Sequence, residues 1–178
     1  MERFSEDEHL KVAFDEQVFL LQQYGGISRY LCNLAESLSR MPDVTVQVSA
    51  PFHINYNLDQ LNDVIGARCF LPDLNTKFAR PVRALSHLLS RVAIKRFRPD
   101  ILHATYYGQS SRLPGARHVL TVYDLIHERY SDMFENSHMT SGPKKAAALR
   151  SEHVICISES TRRHLINICG VPEEKTSV

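Results

Sequence analysis

The period of apolar positions switches repeatedly along this chain between two and three to four, the signature of alternating strands and helices. Lys11–Asp15 holds the short apolar run Val12, Ala13 and Phe14, which predicts a buried strand. Gly25 and Gly26 then break the pattern. From there Ile27, Tyr30, Leu31, Leu34, Ala35 and Leu38 recur at helical spacing and predict one apolar face of an amphipathic helix. Val44, Val46 and Val48 alternate with Thr45, Gln47 and Ser49, predicting a second strand over Val44–Ala50. Residues 51–65 read as a polar connection with a short helix near Leu58–Ile65. Ala67–Leu71 reads as a third strand closed by Pro72. A long helix is predicted over residues 77–98. Leu85, Leu88, Leu89, Val92, Ala93 and Phe97 sit at helical spacing, and Arg83, Arg91, Lys95, Arg96 and Arg98 decorate the rest. Pro99 stops it.

The second half repeats the alternation. DILHA opens a fourth strand at Ile101 and runs into the loop TYYGQSSRLPG. HVLTVY makes a fifth strand that ends in DLIHERY. Residues 132–143 read as a polar loop, Lys144–Arg150 as a helix and Val154–Ile157 as a sixth strand. Ser158 and Ser160 offer N-caps for a last helix through Cys169, which Gly170 and Pro172 end. The pattern predicts an α/β, Rossmann-like fold: an open, mostly parallel sheet with helices on both faces. Residues 1–10 read as a flexible lead-in and 11–178 as one domain.

In such sheets ligands bind beyond the carboxyl ends of the strands. Four polar groups follow that rule. They are Gly25 with Gly26; His103, Thr105, Tyr106 and Tyr107; Tyr123, Asp124, His127 and Glu128; and Ser158, Glu159 and Thr161. The fold is expected to bring them to one edge. Each also has a plain structural reading. Two glycines at a helix mouth admit a ligand close to the backbone and leave N–H groups for an anion, or they merely turn the chain. His103 is a hydrogen-bonded structural histidine or a ligand contact. Tyr106 and Tyr107 cap the core or offer a platform to a sugar ring. Asp124 caps a turn, and His127 with Glu128 forms a surface pair, unless they do chemistry. For Ser158–Thr161 the helix cap is the default. The dinucleotide fingerprint G-x-G-x-x-G is absent, and no acidic residue follows the second strand to hold a ribose. A nicotinamide enzyme is therefore disfavoured, while a phosphate-bearing ligand stays open.

A net charge of +1 over 178 residues leaves no electrostatic footprint for nucleic acid. Cys32, Cys69, Cys156 and Cys169 lack C-x-x-C spacing, which predicts reduced thiols and no zinc site. No stretch is long and apolar enough for a membrane span, and the acidic start MERFSEDEH has no signal core, so a cytoplasmic location is expected. The cations of the 77–98 helix read by default as a solvated face. An anionic membrane surface is the alternative.

YGGISRY, DILHATYY, TVYDLIHERY and ICISESTRRHL, in this order and spacing, resemble the N-terminal domain of family 4 glycosyltransferases of the GT-B fold. Bacterial mannosyltransferases that build surface polysaccharides share the resemblance, which runs from about residue 11 to the end. It implies two Rossmann-like domains across a cleft, this one on the acceptor side. A nucleotide-sugar donor, GDP-mannose or similar, would sit mainly on a second domain that the chain stops short of. It also implies retaining hexosyl transfer with no metal or other cofactor. Gly25, Gly26 and Arg29 would approach the donor diphosphate. His103, Tyr106, Tyr107 and Tyr123 would line the side of a saccharide or lipid-linked acceptor. Asp124, His127 and Glu128 would form the catalytic set near the reacting sugar.

Two departures stand out. Many members carry His-Asp-Leu where this chain has Tyr123-Asp124-Leu125, so the histidine's contact with the transferring sugar does not carry over to Tyr123. The sequence ends at Val178, before the family's E-x7-E element; Glu8 and Glu16 have that spacing in the wrong context. The isolated chain is thus expected to be weakly active or inactive, to touch the inner face of the membrane peripherally, and to self-associate through the face a second domain would cover. The other reading is a non-catalytic Rossmann-like binding module whose donor site comes from a partner chain. A GT-B sugar-nucleotide epimerase fits the four motifs less well.

Overall fold

A computed structural model describes residues 9–61, 64–66, 68–74, 76–108, 113–129 and 137–178. Among the described residues there are eight strands: β1 (Leu10–Phe14), β2 (Val44–Val48), β3 (Phe52–His53), β4 (Cys69–Phe70), β5 (Ile101–Ala104), β6 (Arg117–Val122), β7 (His153–Cys156) and β8 (Thr176–Ser177). The same residues hold six α-helices between the strands: α1 (Gly26–Ser39), α2 (Tyr56–Asp59), α3 (Thr76–Phe97), α4 (Ile126–Arg129), α5 (Ser137–Arg150) and α6 (Glu159–Cys169). Six strands form one sheet in the order β2-β1-β5-β6-β7-β8. The registers of β1 with β2, β6 with β7 and β7 with β8 are parallel. This is the open, mostly parallel Rossmann-like sheet that the alternation predicts. Two compact units divide the chain, one ending at Leu102 and one starting at His103.

The unit up to Leu102 is built on β1. Val12, Ala13 and Phe14 are all buried, as a strand of a parallel sheet requires. The chain then makes an unanticipated 3-10 turn, Val18–Leu20, whose three side chains are buried. In α1 the buried ridge is Ser28, Leu31, Cys32 and Ala35, with Leu34 and Leu38 only partly covered. The expected third strand is present only as β4, and it pairs with β3 in a separate two-stranded sheet. Ala67 lies outside the described residues. The short helix comes earlier than the Leu58–Ile65 expected. Asn55 caps it, its Oδ1 accepting the Leu58 N–H at 3.0 Å, so the helix starts at Tyr56.

The long helix α3 differs most from its sequence pattern. An apolar stripe at helical spacing ordinarily faces the core. Here Leu85 (46% exposed), Leu88 (58%), Leu89 (40%) and Val92 (49%) face outward. The inward face is polar: Ser86 and Ser90 are fully buried, with Ile94 beside them. Ser86 Oγ donates to the Phe52 carbonyl at 3.1 Å and accepts the Phe52 N–H at 3.3 Å. His87 Nδ1 lies 2.7 Å from Glu16 Oε1. Burial pushes the Glu16 carboxyl up, with the neighbouring Asp15 charge adding to it.

The unit from His103 has its own core of Leu120, Val122, Leu125, Ala148, Val154 and Leu165. The fifth strand is present as β6, which stops at Val122, and α4 follows; Tyr130 lies outside the described residues. Of the expected loop 132–143, residues 137–143 are the first turns of α5, with Pro143 inside the helix. Residues 132–136 lie outside the described residues. Helix α6 starts and stops as its end signals predict. Ser158 Oγ accepts the Thr161 N–H at 3.1 Å, and Gly170 ends the helix at φ 72. All four cysteines are free thiols.

Candidate functional site

In the unit from His103 the site grows from the carboxyl end of β6. The strand is buried through Val122, and Tyr123-Asp124-Leu125 turns the chain into α4. Leu125 is 4% exposed and pins the turn to the core. Asp124 Oδ1 accepts the Ile126 N–H at 3.3 Å, as a short polar side chain does at a turn. Asp124 is therefore held by its own backbone yet keeps its carboxylate 47% exposed.

A lysine from α5 organises the rest. Lys144 is 1% exposed. Its Nζ donates to the Asp124 carbonyl at 2.9 Å and to Glu128 Oε2 at 3.1 Å, and it approaches Asp124 Oδ1 at 3.4 Å. An ammonium has three donors, and this geometry engages each of them. The charge also sits 5.4 Å from the centroid of the Tyr107 ring, within cation–π range. The cluster holds one more carboxylate than cation. The surplus falls on Asp124, the member that solvent reaches. Glu128 is nearly closed off, its side chain 4% exposed and its Oε1 buried without a hydrogen bond among the described residues.

Tyr107 completes the wall. It is 5% exposed, and its hydroxyl accepts the Tyr123 N–H at 3.4 Å. Burial pushes its phenol ionisation up, and the Asp124 charge, the Tyr106 phenol and the Glu128 charge add to that. Tyr106 packs at 4.7 Å between ring centroids, tilted by 36°, and stays half-buried. His103, at the end of β5, is 3% exposed and bonds Thr121 Oγ1 through Nε2 at 3.0 Å. Burial pushes its imidazole down to about 4, so it stands as a neutral ring inside the sheet. His127 is half-buried on α4. Ser158 and Thr161 are occupied with the α6 cap.

The glycine pair belongs to the unit up to Leu102. Gly25 is the N-cap of α1 and has no side chain to offer its first-turn N–H groups. Its backbone is extended at φ 176, open to any residue. What a Cβ there would meet is Gln22 Oε1, at 2.2 Å. At Gly26 a Cβ would meet nothing within 4 Å, so the helix start is open to a ligand. Ser28 Oγ donates to the Gly25 carbonyl at 3.1 Å. The loop before it is tied down: Asn55 Nδ2 donates to the Gln22 carbonyl at 2.6 Å and the Tyr56 N–H to the Gln23 carbonyl at 3.0 Å. Arg29 lines a cavity of about 250 Å³ with Asn33, Glu36, Asn57 and Gln60.

The structure thus joins Tyr107, Tyr123, Asp124 and Glu128 in one bonded group. Its hub, Lys144, has no signal in the sequence, because a lysine on a helix is by default solvated. A half-exposed carboxylate on a rigid turn, backed by a buried cation, can accept hydrogen bonds from the hydroxyls of a polar ligand without having to be ordered first.

A family model described as Glycosyltransferase Family 4 matches residues 24–178. The fold is shared with the lipopolysaccharide outer core galactosyltransferase WaaB in its apo form, at a TM-score of 0.53 and 16% identity, over 95% of this chain and 45% of that one. It is also shared with a glycosyltransferase from Rickettsia africae ESF-5, at a TM-score of 0.53 and 18% identity, over 97% of this chain and 42% of that one. Identities this low speak to the fold alone. The chain spans less than half the length of either structure. Among curated proteins none matches.

Proposed function

The chain belongs to glycosyltransferase family 4, and from that premise we propose that it is the acceptor-side half of a retaining hexosyltransferase that uses a nucleotide sugar to build surface polysaccharide or another glycoconjugate. The observation that carries this reading is the extent of the family match, from Tyr24 to Val178, through the glycine pair and the Tyr123–Glu128 turn. The galactosyltransferase among its structural neighbours acts on lipopolysaccharide, which fits a surface-glycan acceptor.

Transfer from a nucleotide sugar breaks the bond between the anomeric carbon and the diphosphate. The diphosphate gains negative charge as it leaves. Uncapped N–H groups at the start of α1 suit that charge, and the open space over Gly26 lets the phosphate reach them beside Gly25, with Arg29 one turn further on. The acceptor hydroxyl forms its new bond to the same face of the anomeric carbon, and its proton passes to the departing phosphate oxygen. Asp124 is the carboxylate we assign to the reacting sugar, because it is rigid, half-exposed and charged-paired from behind. Glu128 acts through Lys144 on Asp124 from a buried position. Tyr106 and Tyr123 line the acceptor side, while His103 and Tyr107 shape it from within the core. His127, half-buried on α4, is the remaining member of the assigned set.

The test is transfer by the gene product in its complete reading frame. It is supplied with GDP-mannose, UDP-galactose or UDP-glucose and a saccharide acceptor, and release of nucleoside diphosphate is measured. Acceptor-dependent release, with the donor's anomeric configuration kept in the product by proton NMR, is the expected result. Inversion overturns the retaining mechanism. If no donor is consumed but the chain binds the saccharide, the enzyme reading falls and the binding module stands.

A further inference from the structure

Two tyrosines stand stacked at the surface of the unit up to Leu102. The rings of Tyr24 and Tyr56 lie 4.4 Å apart between centroids and within 3° of parallel. Tyr56 stands edge-on to Phe70 at 4.8 Å. Phe70 in turn lies 5.4 Å from the ring of His53, its buried register partner across β3 and β4. The backbone ties the loop before the outer ring as well. The Tyr56 N–H donates to the Gln23 carbonyl at 3.0 Å, and Gln23 Nε2 donates to the Pro72 carbonyl at 2.8 Å. Tyr24 is nevertheless 69% exposed. With one face on Tyr56, it presents the other to solvent as a flat, supported surface. Tyr107, whose chemistry equally suits a sugar, is buried and offers no such face. The two elements that carry on from these rings, α1 and α2, frame a cavity of about 250 Å³ lined by Arg29, Asn33, Glu36, Asn57 and Gln60. Asn57 Nδ2 donates to Ser28 Oγ at 3.2 Å and so ties α2 to α1.

We propose that Tyr24, backed by Tyr56, is a stacking platform for a pyranose ring, with the carboxamides of Asn33, Asn57 and Gln60 reading the hydroxyls along the edge of that ring. A pyranose has a face of C–H bonds that packs on an aromatic ring, and a rim of hydroxyls that each donate and accept. A carboxamide also donates and accepts, so it pairs with such hydroxyls whichever way they point. A nucleobase would use the face of Tyr24 equally well but brings few edge groups to a wall of carboxamides. An apolar side chain of a protein partner would leave those carboxamides unpaired, which costs affinity. The platform is in place before the ligand arrives, so binding forfeits little side-chain freedom. Assigning the sugar to the acceptor rests on the reading proposed above; the stacking itself does not.

Saturation-transfer NMR on the gene product in its complete reading frame tests the proposal, with methyl α-mannopyranoside, methyl α-glucopyranoside and methyl α-galactopyranoside as probes. Saturation transfer to the ring C–H protons of at least one glycoside is expected, and Tyr24→Ala should weaken its binding on the order of tenfold. Tyr24→Phe keeps the ring and should bind like the parent. Gln60→Ala should narrow the difference among the glycosides, which differ only in the orientation of a hydroxyl. Tyr24 and Gln60 are exposed, and unchanged circular dichroism and melting confirm that the variants fold. Failure of every glycoside to bind, or binding that survives Tyr24→Ala, overturns the proposal. Tyr24-dependent binding of GMP or UMP with none of the glycosides overturns it in favour of a base. The transferase reading fails separately. Tyr24-dependent glycoside binding by a protein that transfers no sugar upholds the platform and removes only the transferase. Transfer whose acceptor KM is untouched by Tyr24→Ala overturns the platform and leaves the transferase standing.

Discussion

Lys144 Nζ lies 3.1 Å from Glu128 Oε2, and the two side chains are 2% and 4% exposed. A buried ion pair of this kind is held as a unit, because neither charge is tolerable in the core without the other. Lys144→Met is therefore expected to lower the unfolding free energy by about 3–5 kcal/mol, since it strands Glu128 and removes the donor to the Asp124 carbonyl. Lys144→Met with Glu128→Leu should recover most of that loss, because a matched apolar pair carries no desolvation cost. Urea unfolding of the two variants against the parent checks the difference. Equal destabilisation by the single and double changes would show that the pair contributes nothing as a pair.

Asp124 makes the opposite prediction. Its carboxylate is 47% exposed, and its turn is fixed by the Leu125 side chain and by Lys144 at its carbonyl. Asp124→Asn keeps the size, and the amide oxygen can still accept from the Ile126 N–H. Stability should change by less than about 1 kcal/mol, as for an exposed ion pair. If Asp124 faces the reacting sugar, the same change should lower turnover of the complete gene product on the order of a hundredfold or more while the KM for donor stays near the parent value. A full-activity Asp124→Asn enzyme would remove Asp124 from the chemistry.

His103 gives the protein a pH dependence of known sign. Burial holds its folded-state pKa down at about 4, below the unfolded value of 6.5. Above pH 6.5 both states are neutral and the group costs nothing. As pH falls from 6.5 towards 4 the unfolded chain takes up a proton that the folded chain refuses, so stability is lost across that window, by up to about 3 kcal/mol. His53, also pushed down by burial, acts in the same direction. His103→Gln, which can still bond Thr121, should flatten the dependence between pH 7 and pH 5 in urea titrations. An unchanged slope would mean that His103 is protonated in the folded state.

The strand–helix alternation, the glycine pair opening α1, the Ser158 cap and the Gly170 stop were all legible in the sequence, because each depends on neighbours a few residues apart. Contacts over longer range were not. Lys144 meets Glu128 across 16 residues, and nothing local distinguishes it from Lys145 beside it. The expected apolar stripe of α3 gave no sign that Ser86 would be buried; it is tolerated inside because its hydroxyl bonds the Phe52 backbone, 34 residues away. The leucine ridge faces outward in exchange. Tyr107 was readable as a sugar platform from its chemistry, but its burial under Tyr106 and Lys144 depends on α5, whose first turns read as loop.

Gly66 was invisible for a further reason: it punctuates no periodic segment. It follows Ile65, whose N–H and carbonyl bond Val46 and Val48 in β2 at 3.1 and 2.9 Å. Its φ is 148, a conformation L side chains rarely adopt, and a Cβ there would stand 2.1 Å from the Val48 carbonyl oxygen. That oxygen is backbone at the end of β2 and cannot swing aside as a side chain could. Gly115 provides the control, with φ 91 and nothing within 4 Å of its Cβ position. Gly115→Ala should therefore cost only the backbone term of about 1–2 kcal/mol. Gly66→Ala should cost more, on the order of 3 kcal/mol, because strain and overlap add. Thermal melts of the two variants decide it; equal shifts would mean that the β2 edge yields to the methyl group and that the close approach at Val48 is not held by the fold.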